Sequence, residues 1–338
     1  MKKLKMMSLL LVVLLCLTAC GGTTTTEEPS DTSGDTSSEE NSDVVEFPTQ
    51  DIRVIVPYAA GGNTDLDGRA IANIIDQNSL LSKTMVVTNI TGANTMNAAQ
   101  SLLDAEPDGH TLLMHHTAFI ASSAAGTVEI QYSNFKPLIE ASIQPFVLSV
   151  AASSGFATAD DIIQYAKENP GELTVGYVGT GSTSHLAATI FLQASGIYDN
   201  VKMITYSSST DALTAQLGGE LVVRVGPAAD SARYVTSGEL VAVAVSNETD
   251  IDVWAGVPTF ADLGSDISYA CRQGYYVRKE VPQEVCDILI QAISTDEYAE
   301  FCASNGMEPS GLYGDELQSA WDADYEMIKE IFDSGAMG

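Results

Sequence analysis

Past residue 46 the chain alternates short apolar runs with stretches of helical periodicity. Residues 52–56 (Ile-Arg-Val-Ile-Val) are strand-like, and a glycine-rich turn follows them. Over 63–77, Leu66, Ala70, Ile71, Ile74 and Ile75 recur at helical spacing. The same pattern places strands at 85–88, 111–114, 146–151, 173–178, 201–206, 221–225 and 240–245. Helices are expected over 95–103, stopped by Pro107, and from Thr158, capped with Asp161, to Asn169 ahead of Pro170-Gly171. A further helix starts at Thr183, buries Leu186, Ala187, Ile190, Phe191 and Ala194, and stops at Gly196. The last part is mostly helical, over 282–293 and 315–332. This alternation means parallel sheets covered by helices, an α/β chain. No short-period repeat is visible, which sets aside solenoids and propellers. No linker breaks the body, so two lobes must be joined by ordered strands, with 146–151 and 240–245 as the crossings.

The first residues follow another pattern. Lys2, Lys3 and Lys5 precede an apolar run over 6–17, then Thr18-Ala19-Cys20-Gly21. A basic head, a short apolar middle and small residues before a cut describe a secretory signal peptide at 1–19. Leu17-Thr18-Ala19-Cys20 resembles the bacterial lipobox, whose cleavage leaves the cysteine as a lipidated first residue. The alternative is an ordinary signal with a chance cysteine. Stable anchoring needs more than one acyl chain, and the lipobox pattern implies several on Cys20. Residues 20–46 then hold Thr, Ser, Asp and Glu with almost nothing apolar, an acidic disordered tether.

The formal charge is −30, and losing Lys2, Lys3 and Lys5 takes it to −33. Such a field argues against nucleic acid or an anionic membrane surface as a partner. Any anionic ligand must be held by local dipoles. Cys271, Cys286 and Cys302 match no zinc spacing, and buried free thiols are the default over a disulfide between two of them. No cofactor or metal is called for. His115 and His116, neighbours on a strand, point to opposite faces and do not chelate one ion.

Two strand-to-helix junctions carry the candidate chemistry. One is Pro57-Tyr58-Ala59-Ala60-Gly61-Gly62-Asn63-Thr64-Asp65, the other Gly179-Thr180-Gly181-Ser182-Thr183-Ser184-His185. Helix starts present unpaired N–H groups and a partial positive charge, and glycine lets a ligand reach the backbone. Either turn alone could be a plain βα connection; two together favour binding. Neither fits a P-loop or the Gly-x-Gly-x-x-Gly dinucleotide fingerprint.

These residues resemble a known family. The first junction looks like the first ligand loop of the substrate-binding proteins of tripartite tricarboxylate transporters, the Bug-type receptors. Thr91-Gly92-Ala93-Asn94, Pro107-Asp108-Gly109-His110-Thr111, the second junction, Leu217-Gly218-Gly219-Glu220, Ser237-Gly238-Glu239-Leu240 and Val257-Pro258-Thr259 match its later signatures in order. The resemblance implies a two-lobed periplasmic-binding-protein fold (type II-like), each lobe a mostly parallel sheet flanked by helices. Residues 47–147 with 246–338 form lobe 1, and 148–245 form lobe 2. It implies a receptor that closes on a small organic carboxylate and serves membrane subunits of a transporter, as a monomer and not as an enzyme. One carboxylate falls to Thr180, Gly181, Ser182, Thr183 and His185; a distal one falls to Tyr58, Ala59, Ala60, Gly61, Gly62 and Asn63. His185 is expected to bond across its turn, and Asp65 to cap its helix.

Some positions depart from the family pattern. Ser207 and Ser208 replace a basic residue and glycine, Gly226-Pro227 replaces an acidic-serine pair, and Arg272 stands where many members have tryptophan. Ser208 and Arg272 join the candidate ligand contacts. Arg272 fits either a bidentate carboxylate clamp or a pairing with a local acid, and Arg224 is similarly open. A receptor for another transporter class is the rival within this reading. An exported serine esterase built on Ser182 and His185 is the rival outside it, though Gly-Thr-Gly-Ser-Thr is not a nucleophile elbow. Family members in Gram-negative hosts are often soluble, so lipidation plus the spacer favours the outer face of a Gram-positive membrane over a Gram-negative periplasm.

Overall fold

A computed structural model describes residues 46–335 and 337; the signal peptide, Cys20 and nearly all of the tether lie outside the described residues. The body starts with β1 (Ile52–Val56), α1 (Asn63–Gln77), β2 (Met85–Asn89), α2 (Met96–Leu103), β3 (Thr111–His116) and α3 (Ala118–Ala124). Next come β4 (Lys136–Ala151), α4 (Ala159–Glu168), β5 (Leu173–Val178), α5 (Thr183–Ala194), β6 (Val201–Tyr206) and α6 (Ser209–Leu217). The chain continues through β7 (Val223–Pro227), α7 (Ala228–Thr236), β8 (Leu240–Val245), β9 (Ala270–Val277), α8 (Gln283–Ile293), α9 (Asp296–Ser304), β10 (Glu308–Tyr313) and α10 (Gly314–Asp333).

The organising element is β4, sixteen residues long. Its first half pairs antiparallel with β9 and β10, over 136–145 and 139–143. Its second half, from Phe146, pairs antiparallel with β7 and β8. One sheet therefore runs β2-β1-β3-β9-β4-β10 and the other β8-β4-β7-β5-β6, with β4 common to both. Parallel pairs (β1 with β2 and β3, β5 with β6 and β7) flank an antiparallel centre, so the curled sheet is mixed. A parallel bridge from Val245 to Thr259 adjoins the end of β8.

Sequence periodicity found only the second half of β4. The first half carries Pro137, Glu140, Ser142, Gln144 and Pro145, which blunt both the apolar run and the ladder signal. Register shifts beside Pro137 and between Glu140 and Ser142 accommodate these residues. Glu140 is fully buried there, and accepts from Ser310 Oγ (2.6 Å), Trp321 Nε1 (2.9 Å) and Arg272 Nη1 (3.2 Å). Helix α4 starts as expected, with Thr158 Oγ1 accepting the Asp161 N–H and Asp161 returning the bond. Helix α1 has the expected bounds but a different inner face. Leu66 is 54% exposed, while Thr64, Asp65, Asp67, Gly68, Ile71, Ala72 and Ile75 face inward. Cys271, Cys286 and Cys302 are buried free thiols.

Candidate functional site

Both glycine turns lie at the carboxyl ends of parallel strands, where open α/β sheets bind ligands. After β1 the chain turns at Gly61, whose φ of 82° suits glycine, and Gly62 starts α1 with no side-chain cap. Asp65 shapes the turn from inside: its carboxylate accepts the Gly61 N–H (2.8 Å), Arg69 Nε (2.9 Å) and Asn89 Nδ2 (2.8 Å). Asn89 also donates to the Tyr58 carbonyl (2.9 Å). Asp65 thus anchors the loop from the first turn and does not occupy the cap position, which corrects the capping expectation. Burial pushes its carboxyl up, but Arg69, the Gly61 amide and Asn89 outweigh this and hold it below the usual range.

The second turn holds itself together. Ser182 caps α5 by accepting the His185 N–H (3.2 Å), and the Gly181 N–H (φ 75°) donates to His185 Nδ1 (3.1 Å). The His185 ring stacks on Tyr177 at 4.2 Å, and burial lowers its pKa, which keeps Nδ1 an acceptor. The bond across the turn expected of His185 is therefore present. Ser182 meets His185 through the backbone N–H and Gly181 occupies Nδ1, an arrangement unsuited to an esterase base. Thr180 and Gly181 are exposed, Ser182 is half-buried, and Thr183 is buried.

A cavity of about 730 Å³ brings Tyr58, Ala59, Ala60, Gly61, Gly62 and Asn63 into one wall with Ser208. Ser208 caps α6, its hydroxyl accepting the Asp211 N–H at 3.1 Å. Thr180, Gly181, Ser182, Thr183, His185 and Arg272 are not part of this wall. Arg272 is instead ion-paired with Glu140 (3.2 Å) and Asp324 (2.9 Å). Of its two expected roles, pairing with local acids is the arrangement present, and the clamp role gives way. Arg224 is 1% exposed and bonds Ser209 and Ser231, so it lies beneath the cavity surface. A separate concavity of about 650 Å³ involves Arg53, Asp104, Asp108 and His110. It sits at the amino-terminal ends of β1 and β3, the wrong end for ligand capture.

Several wall residues escaped sequence reasoning: His116, Asp67, Asp230, Arg233 and Cys271. His116 stacks under the Tyr58 ring at 4.9 Å, and burial lowers its pKa to about 4, so it presents a neutral imidazole. Asp67 had a detectable signal, a carboxyl within the buried stripe of α1. It accepts Tyr298 Oη (2.6 Å) and Ser142 Oγ (3.1 Å).

Burial raises the Asp67 carboxyl to about 6, against those two bonds. A folded-state pKa above the unfolded value of about 3.9 means folding favours the protonated form. The stabilising contribution is therefore full below about pH 4 and is lost as pH rises through about 6. Asp67→Asn should remove this fall from the stability profile measured by urea denaturation over that range. A difference between wild type and variant that does not change with pH would contradict the assignment.

A profile described as the tripartite tricarboxylate transporter family receptor matches residues 69–327. A UPF0065 protein of Cupriavidus necator is 30% identical over 271 residues, covering 78% of this chain and 81% of its own. A TctC solute binding protein from Polaromonas, solved without ligand, superposes at a TM-score of 0.70 with 25% identity, over 85% of this chain and 99% of its own. An R. palustris protein solved with adipate shares the fold at a TM-score of 0.75 and 23% identity, over 87% of this chain and 99% of its own. The α/β architecture is that of periplasmic binding proteins. With a family match over most of the body and a relative at this identity, the chain belongs to the tripartite tricarboxylate transporter receptor family.

Proposed function

We propose that this receptor captures a small organic carboxylate between two lobes, 47–147 with 246–338 and 148–245, and hands it to the membrane subunits of a tripartite tricarboxylate-type transporter. One observation carries the reading: the uncapped start of α1 and the start of α6 face one cavity. Unpaired N–H groups at helix starts suit a carboxylate even in a chain of net charge −30. Each charge-assisted bond contributes about 1.5–3 kcal/mol, so a few suffice for micromolar capture. Adipate in the R. palustris neighbour is consistent with this ligand class.

The ligand contacts we assign are Tyr58, Ala59, Ala60, Gly61, Gly62, Asn63 and Ser208 in the cavity wall, and Thr180, Gly181, Ser182, Thr183 and His185 at the start of α5. The family consists of solute-binding receptors, and we assign this chain no catalytic step. Calorimetry against a panel of organic acids tests the reading: at least one should bind at micromolar or better. Tight binding of a sugar or an inorganic cation, and of no acid, would remove it.

We also assign the chain a lipid anchor on Cys20, on the outer face of a Gram-positive membrane. A tether raises the effective concentration of a receptor near its membrane subunits. In cells fed a tagged fatty acid the wild-type protein should carry the label and Cys20→Ala should not, read by in-gel fluorescence. An unlabelled wild-type protein would dismiss the anchor.

A further inference from the structure

The α7 side of the cavity suits a different group from the α1 side. Asp230 lies in the first turn of α7 and forms part of the wall, with its side chain 22% exposed. Its Oδ2 accepts the Ser209 hydroxyl and stands 3.8 Å from Arg224 Nη1. Its Oδ1 has no hydrogen bond or ion pair among the described residues. Ser209 also belongs to the wall, but its one hydroxyl proton goes to Asp230 while its oxygen accepts from Arg224 (3.1 Å). This end therefore offers a ligand an open acceptor.

The nearby cations do not reverse that. Arg224 reaches its partners under Gly226, where a Cβ would stand 2.6 Å from Nη1, and remains buried. Arg233 is exposed, with its guanidinium bonded to the Tyr234 hydroxyl and 4.4 Å from that ring's centroid. Asp67 adds a second carboxylate to the wall, and its partners are the Tyr298 and Ser142 hydroxyls, with no cation among them. Burial and both carboxylates raise the pKa of the Cys271 thiol in the same wall, so the two acids act on one region.

A ligand carboxylate placed here would face the Asp230 carboxylate, and Ser209, whose proton already goes to Asp230, cannot bridge the two. A protonated amine would form a charge-assisted hydrogen bond to the open oxygen. We propose that the ligand is a zwitterion whose carboxylate sits on loop 58–63 and whose protonated amine sits on Asp230 Oδ1. The inference rests on the receptor reading above and narrows its ligand class to amino-carboxylates.

Calorimetry on the purified protein with matched pairs tests it: succinate with γ-aminobutyrate, glutarate with δ-aminovalerate, adipate with ε-aminocaproate. The amino member of a binding pair should bind at least about tenfold more tightly, the effect of one charge-assisted bond. Asp230→Asn keeps an oxygen for Ser209 and should abolish that preference. Equal or tighter binding of the dicarboxylate to the wild-type protein overturns the inference and leaves the receptor reading standing, as does a preference that survives in folded Asp230→Asn. Failure of every carboxylate, amino or not, overturns the receptor reading itself. The wild-type comparison needs no variant, so it decides the matter even where Asp230→Asn does not fold.

Discussion

Glu140→Ala is expected to destabilise the folded body by about 3–5 kcal/mol, the range for removing one partner of a buried ion pair. Glu140 has no exposed surface and sits on β4, the strand common to both sheets. It collects Trp321 Nε1 from α10, Ser310 Oγ from β10 and Arg272 Nη1 from β9. Removing it leaves those donors buried and unmet, with Asp324 the remaining acid at Arg272. Burial alone would lower the Arg272 pKa, and Glu140 with Asp324 reverses that. A body of this size should lose roughly 10 °C in Tm. Ser310→Ala, which deletes one hydroxyl bond, should cost about 1 kcal/mol. Comparable losses in the two variants would show that Glu140 is not the hub described here.

The second large effect falls on binding. Gly61→Val puts a β-branched residue at a φ of 82°, a region such residues avoid. The turn must re-form, and the Gly61 N–H is pulled from Asp65 Oδ2. Ser182→Tyr fills the mouth of the other turn and removes the cap that accepts the His185 N–H. Each should weaken carboxylate binding by at least about a hundredfold, about 2.7 kcal/mol. Stability should fall much less: loss of a cap costs about 1 kcal/mol, and the Gly61 turn is exposed. Calorimetry beside thermal melting separates the two quantities. Unchanged affinity in a folded Gly61→Val protein would remove loop 58–63 from the site.

These effects show how far the residues alone could be followed. Where a strand is mostly apolar, as in β1, β5 and β8, its place was legible. Where several buried polar groups break the run in close succession, it was not. The first half of β4 is hidden by Glu140, Ser142 and Gln144, and β9 by Arg272, Gln273 and Gly274. Partners distant in sequence satisfy Glu140 and Arg272, and no local pattern announces them. The turns at Gly61 and Gly181 were legible because glycine before a helix start is a local signal. Asp67 from α1, His116 from β3, and Asp230 with Arg233 from α7 reach the cavity from three separate stretches of chain, and only the fold gathers them.

The most direct test of the central claim is hydrogen–deuterium exchange on the purified protein, with and without the tightest-binding acid. Slowed exchange is expected at amides 59–63, 180–183 and 208–210, which front the starts of α1, α5 and α6. No change is expected around Arg53 and His110, at the far end of β1 and β3. Protection confined to that far concavity, or spread evenly with none at the three helix starts, would contradict it.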